Sequence, residues 1–259
     1  MIKKRLSFSG LKAFQECEAE AVAVMNGEWD RQATFSPSTI EAMNAGSYVH
    51  KSFENEQALD EFKQKHQGDM FTKTGNLKSQ FQIAEKMVLT LKKDPLFQNI
   101  YKGAKELEVF GEINGIEFHG FLDCLNLEKN IFIDIKTIRG SIYEKEWSES
   151  EHRKMHWIES RKYLWQMAIY QELLRQSDDE RVGKNIQPVI YAITKETFPD
   201  SAGITIPQDW LDDALIEVQE ATNKYIEVLN GRVPVHCGRC NYCKANKYNT
   251  HTISLTELL

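Results

Sequence analysis

Prolines and glycines are few, 6 and 14 in 259 residues, and neither gathers in one stretch. That excludes collagen-like and mucin-like chains and simple disorder, and it leaves no convincing linker. No internal repeat or low-complexity tract is visible. No apolar run approaches the roughly 20 residues that a membrane helix needs, so no membrane partner is expected. The opening Met1-Ile-Lys-Lys-Arg-Leu-Ser is basic, but no apolar core or cleavage site follows it. A signal peptide is therefore not expected, and a cytoplasmic setting follows. Cysteine is scarce, with five thiols, and a cytoplasmic setting disfavours disulfides between them.

What is present suits a globular protein: 41% hydrophobic and 27% charged residues with a net charge of −6. That balance argues against a chain coated all over with nucleic acid, yet it permits a basic groove. Lys3, Lys4, Arg5 and Lys12 stand without an acid in residues 1–12, and Arg232, Arg239, Lys244 and Lys247 do so in residues 232–247. Residues 86–105 hold five lysines against Asp94 alone.

One domain over 1–259 is expected, with a helical N-terminal region to about residue 105 and a cysteine-rich segment at about 232–247. Ser7 or Ser9 can cap a helix reaching about Met25, and Ser36-Pro37 opens another that runs from Ile40 to about Lys65. Asn76 to Lys93 carries apolar residues at three- and four-residue steps. The pattern then alternates. Leu107–Ile113, the Asn114-Gly115 turn, Ile116–Asp123, a turn at Glu128-Lys129-Asn130 and Ile131–Thr137 predict a three-stranded antiparallel meander. Helices over Trp157–Gln176 and Asp209–Leu229 and strands over Pro188–Thr194 and Gly203–Ile206 complete an α/β or α+β domain, a central mixed sheet flanked by helices.

Alternation makes the third strand informative. Ile131, Ile133 and Ile135 face one side, while Phe132, Asp134 and Lys136 face the other. Asp123 lies on the preceding strand and can come beside Asp134. Two neighbouring carboxylates repel, and a hard divalent cation resolves that repulsion. Its bound water can become a nucleophile, and a lysine on the same face can orient it or offset charge developing on a phosphate. An ordinary cross-strand Asp–Lys pair on a solvated face is the competing explanation.

The ordered set Gly46-x-x-x-His50, Gly120-x-x-Asp123, Asp134-x-Lys136 and Gln166-x-x-x-Tyr170 resembles the PD-(D/E)xK nuclease superfamily in its RecB-like branch. With Leu6-Ser-Phe-Ser-Gly-Leu-Lys at one end and Cys237-Gly-Arg-Cys-Asn-Tyr-Cys243 at the other, the chain resembles phage and prophage exonucleases of the RecE (exonuclease VIII) type. The resemblance implies a restriction-endonuclease-like core. It implies magnesium or manganese held by His50, Asp123, Asp134 and the Ile135 carbonyl, with Lys136 positioning or activating the water. Gln166 and Tyr170 would contact DNA or brace the site. Where many relatives carry glutamate, this chain has Asp134. The implied activity is exodeoxyribonuclease action on double-stranded DNA ends, 5′ to 3′, in recombination. A single-strand annealing protein is the implied partner, and a trimeric or tetrameric ring the implied assembly.

Ser7 and Ser9, beside Arg5 at a helix start, could hold a DNA-end phosphate or simply cap the helix. Cys237, Cys240 and Cys243 have ligand-like spacing, with Cys17 as the candidate fourth. Resemblance to AddB and CRISPR-associated nucleases implies a 4Fe-4S cluster there; zinc, with His236 or His251 as a ligand, and free thiols are the alternatives. An iron–sulfur repair or adaptation nuclease preferring single strands, and a non-catalytic DNA-binding module, are the competing functions.

Overall fold

The computed structural model describes residues 5–148, 152–183, 185–248, 252 and 254–257. Lys3, Lys4 and His251 lie outside them. A six-stranded mixed sheet is the centre of the fold. Strands β2 (Ala104–Ile113), β3 (Ile116–Asn126) and β4 (Ile131–Ile138) form the antiparallel meander. Beyond it, β7 (Gln187–Thr194) runs parallel to β4, and β8 (Ser201–Thr205) runs antiparallel to β7. The two-residue β1 (Arg5–Leu6) pairs in parallel with β3 at Glu117 and Phe118. A separate hairpin joins β5 (Lys145–Ser148) to β6 (Arg153–His156).

Helices cover both faces. Ile133, Ile135, Val189, Tyr191 and Ile193 pack against one layer, which includes α3 (Pro37–Glu54), α6 (Ser79–Lys93) and α7 (Pro95–Ile100). Phe118, Leu122, Phe132, Ile190 and Ala192 pack against the other, formed by α1 (Phe8–Glu16), α9 (Tyr163–Arg175) and α10 (Gln208–Leu229). Alternation along β4 therefore sends Ile131, Ile133 and Ile135 toward α3 and α6, and Asp134 and Lys136, with Ile138, toward α9.

Three expected long helices are broken, each by a local interaction. The first stops at Cys17, whose backbone is extended at φ −161° and whose sulfur caps α2 (Glu18–Met25) by accepting from the Glu20 N–H. The second stops at Asn55, which caps α4 (Glu56–Lys65) through the Ala58 N–H, and the short α5 (Gln67–Met70) follows. The third is interrupted at Lys162, in the left-handed region at φ 58°, between α8 (Trp157–Ser160) and α9. In each, apolar periodicity continues across a residue whose backbone leaves the helix. Among the described residues, no helix is long and apolar enough to cross a membrane.

Candidate active site

The β3–β4 ladder ends at the pair Cys124–Ile133. Continued by one step, the register would set Asp123 opposite Asp134. The strands part there, and the Asp123 carboxylate fills the gap: its Oδ2 accepts from the Ile135 N–H at 2.6 Å. In an extended strand a residue's N–H and C=O face the same neighbour, so the Ile135 carbonyl looks toward the same gap. Packing along β3 changes phase at this point. Leu122 and Leu125 belong to the α9-side core and Cys124 to the α3-side core. Opposite Asp123 in the β2–β3 register stands half-buried Glu106, at φ 47°.

His50 enters from α3, which is capped by Ser36 and started by Pro37. Its Nδ1 lies 3.0 Å from Asp123 Oδ1. Gly46, one turn earlier, permits the close approach of helix to sheet, because a Cβ there would lie 3.3 Å from Thr137 Oγ1. On the other face, Asp134 is 3% exposed, buried enough that its charge needs partners. Lys136 Nζ is 2.7 Å from Asp134 Oδ2 and donates at 2.7 Å to Gln166 Oε1. Gln166 Nε2 in turn donates to Asp134 Oδ1 at 2.8 Å and lies 3.3 Å from the Tyr170 hydroxyl. One amide thus ties together the acid, the lysine and the phenol.

Electrostatics divide the two acids. Burial works against the charge of Asp123, but His50, the Ile135 N–H and Lys136 outweigh it and hold the carboxyl below its ordinary range. Burial pushes Asp134 up, aided by the charge of Asp123 and in excess of the pull of Lys136. Burial also opposes the charges of Lys136 and His50, yet Asp134 raises the lysine and Asp123 raises the histidine. Lys136 is therefore held as a cation.

Two tyrosines that sequence reasoning missed complete the surroundings. Lys136 Nζ sits 4.3 Å from the centre of the Tyr163 ring, and the Tyr101 hydroxyl donates to the Asp123 carbonyl at 3.0 Å. Tyr163 was within reach of the pattern, since it precedes Gln166 by three residues on one helix. Lys12 and Lys195 are both lowered, first by burial and then by neighbouring cations: Arg161, Arg31 and Lys136 for Lys12, and Arg161 for Lys195. Lys12 is pulled the other way by Glu16, 3.9 Å away, and Lys195 donates to the Ala42 carbonyl at 3.4 Å. Ser7 caps α1 through the Gly10 N–H and contacts Ser9 Oγ at 3.0 Å. Beside them Arg5 pairs with Glu108 and Glu117.

The donor set suits a hard cation in chemical type: two carboxylates, a carbonyl and an imidazole. Asp134 Oδ2 is buried and outside regular hydrogen-bond geometry, faced by the lysine. Among the described residues, the one closed set of possible ligands is elsewhere. Cys17, Cys237, Cys240 and Cys243 place their sulfurs within 4.8 Å of one another and could hold a metal ion.

A mixed sheet between helical layers, with Asp123, Asp134 and Lys136 where two central strands part, defines a PD-(D/E)xK-type nuclease fold. The chain belongs to the family described as PDDEXK-like domain of unknown function (DUF3799), which it matches over residues 7–246. A crystal structure from Eubacterium rectale, described as a "putative exonuclease", is similar with a TM-score of 0.84 and 28% identity, over 98% of this chain and 92% of that one. No curated protein matches the sequence.

Proposed function

We propose that this protein is a divalent-metal-dependent exodeoxyribonuclease that hydrolyses phosphodiester bonds from the ends of linear double-stranded DNA. The observation that carries this reading is the gathering of His50, Asp123, the Ile135 backbone, Asp134 and Lys136 where the central strands β3 and β4 part. His50, both aspartates and the Ile135 carbonyl would hold magnesium or manganese. Such an ion, when bound, makes water a better nucleophile and offsets phosphate charge. Lys136, kept cationic by Asp134, donates rather than abstracts, and its charge faces the negative charge that grows on the phosphate. Gln166 fixes both groups, and Tyr170 braces Gln166.

Lys12, Arg161 and Lys195 offer a path for the DNA backbone. Ser7 and Ser9, at the start of the nine-residue α1, are further contacts for a terminal phosphate. The RecE-type resemblance extends the proposal to 5′-to-3′ polarity, a cytoplasmic role in phage-type recombination, a single-strand annealing partner and a ring-shaped trimer or tetramer. The complete Asp123, Asp134 and Lys136 set speaks against a non-catalytic module. Incubation with end-labelled linear and covalently closed circular duplexes, with and without magnesium, tests the reading. Magnesium-dependent loss of the linear form alone is expected. Binding without cleavage, with either magnesium or manganese, would contradict it.

A further inference from the structure

The four clustered cysteines lie outside the proposed nuclease site. Cys17 is the hinge between α1 and α2. Cys237 and Cys240 lie just before α11 (Asn241–Ala245), which carries Cys243. Segment 232–235 is laid against the start of α2. Arg232 pairs with Glu18 at 2.9 Å, Ala19 N–H donates to the Val235 carbonyl at 3.1 Å, and Val235 N–H donates to Glu18 at 2.9 Å. The backbone thus brings residues some 220 positions apart into one place before any ligand is considered.

The sulfur spacing distinguishes what they can hold. Cys17 and Cys243 are 3.6 Å apart, Cys237 and Cys243 are 3.9 Å apart, and all four sulfurs fall within 4.8 Å. Four thiolates bound at about 2.3 Å around one tetrahedral zinc ion are separated by about 3.8 Å. A 4Fe-4S cluster instead takes each cysteine on a different iron, at a separate corner of a body of eight atoms. Sulfurs this close match the spacing around a single ion and are nearer to one another than separate corners of that body would set them.

The surroundings treat these sulfurs as acceptors. Backbone N–H groups of Glu20, Cys240 and Cys243 point at the sulfurs of Cys17, Cys237 and Cys240, at 3.5, 3.3 and 3.3 Å. Such donors favour the thiolate that a metal requires. His236 Nδ1 lies 3.5 Å from Cys243 Sγ, with its ring stacked on Tyr242. It is placed to support a sulfur, because the four thiols already supply the four ligands of a structural zinc site. Four protein thiolates on one ion are the ligand set of structural zinc sites, whereas catalytic ones keep a position for water or substrate.

We propose that Cys17, Cys237, Cys240 and Cys243 bind one zinc ion in a closed structural site that clips the C-terminal segment to the α1–α2 hinge. The cubane cluster implied by the resemblance does not fit this arrangement.

The full chain, purified without chelator and without oxygen, would be assayed for zinc, iron and acid-labile sulfide, then reconstituted with cobalt. A colourless protein with one zinc per chain is expected, and cobalt should give the intense visible bands of a tetrahedral tetrathiolate site. Cys124→Ser, which changes a buried thiol outside the cluster, should keep those bands. Cys240→Ser should lose or strongly weaken them, and Cys240→His should retain a shifted spectrum, since zinc-type sites accept imidazole. A brown protein with stoichiometric iron and sulfide would overturn the proposal, as would a chain that holds no metal. Cobalt bands unchanged in Cys240→Ser would also overturn it. The wild-type assays decide the matter even if a variant fails to fold, and none of them reads nuclease activity.

Discussion

The Tyr170 ring occupies the space that a side chain at position 120 would need: a Cβ on Gly120 would lie 2.2 Å from Tyr170 Cε1. The ring cannot retreat freely, because it is buried and its hydroxyl neighbours Gln166, which holds Asp134 and Lys136. Gly120→Ala should therefore displace the bracing network as well as overpack the core. A loss of about 1–3 kcal/mol in stability is expected. The cleavage rate should fall further than thermal unfolding accounts for when measured well below the melting temperature. Gly120→Ala combined with Tyr170→Phe should not restore the rate, since the ring remains.

Asp94 caps α7 and joins it to the sheet. It accepts from the Leu96 and Phe97 N–H groups, from Ser201, and from the Tyr191 hydroxyl at 2.6 Å. Burial opposes its charge, but Tyr191, Ser201 and the two amides outweigh that and hold it below its ordinary 3.8. A depressed carboxyl stabilises the fold above its unfolded value and loses that contribution as pH falls through the folded one. Asp94→Ala should cost about 1–2 kcal/mol at neutral pH. The gap between wild type and variant should close below pH 3.8, as followed by chemical denaturation across pH.

Glu106 is unpaired in the strand register, faces Asp123, and is raised first by burial and then by that carboxylate. The folded state therefore binds its proton more tightly than the unfolded chain does. The contribution to stability is present at low pH and is lost as pH rises through the raised value. Glu106→Gln should raise the melting temperature of the metal-free protein at neutral pH and flatten its decline between acid and neutral pH. A lower melting temperature at neutral pH would contradict this account of the repulsion.

Much of the frame is readable from the residues. The Asn114-Gly115 turn and the alternation on either side specify the β2–β3 hairpin, and the isoleucines of β4 specify which way Asp134 and Lys136 point. The breaks at Cys17, Asn55 and Lys162 are not readable from periodicity, because apolar spacing persists through all three. Strand β1 has two residues, too short to carry a pattern. The β5–β6 hairpin lacks a clear apolar alternation, with Trp147 54% exposed. At the site, Gln166 and Tyr170 share a helix face by their spacing. That Gln166 reaches both Asp134 and Lys136 depends on how α9 crosses the sheet, which is a property of packing. Glu106, Glu108 and Glu112 alternate along one stretch of the sequence with nothing to set one apart. Register singles it out.

The Lys195 ammonium is disfavoured by burial and by the neighbouring charge of Arg161. Phosphate would relieve that repulsion. Lys195→Ala should weaken binding to duplex ends regardless of sequence and reduce the slope of log affinity against log salt by about 1. Titration of fluorescent DNA with calcium in place of magnesium, at several salt concentrations, measures it. An unchanged slope would remove Lys195 from the DNA path.

The most direct measurement compares the cleavage of end-labelled linear duplex DNA by wild type, Lys136→Ala and Asp134→Asn in magnesium, with circular dichroism recorded on each. The account predicts intact folds and rates reduced by at least about 10²–10³-fold for both variants, the scale of removing one charge-stabilising group from a hydrolytic site. Wild-type rates in two well-folded variants would contradict it.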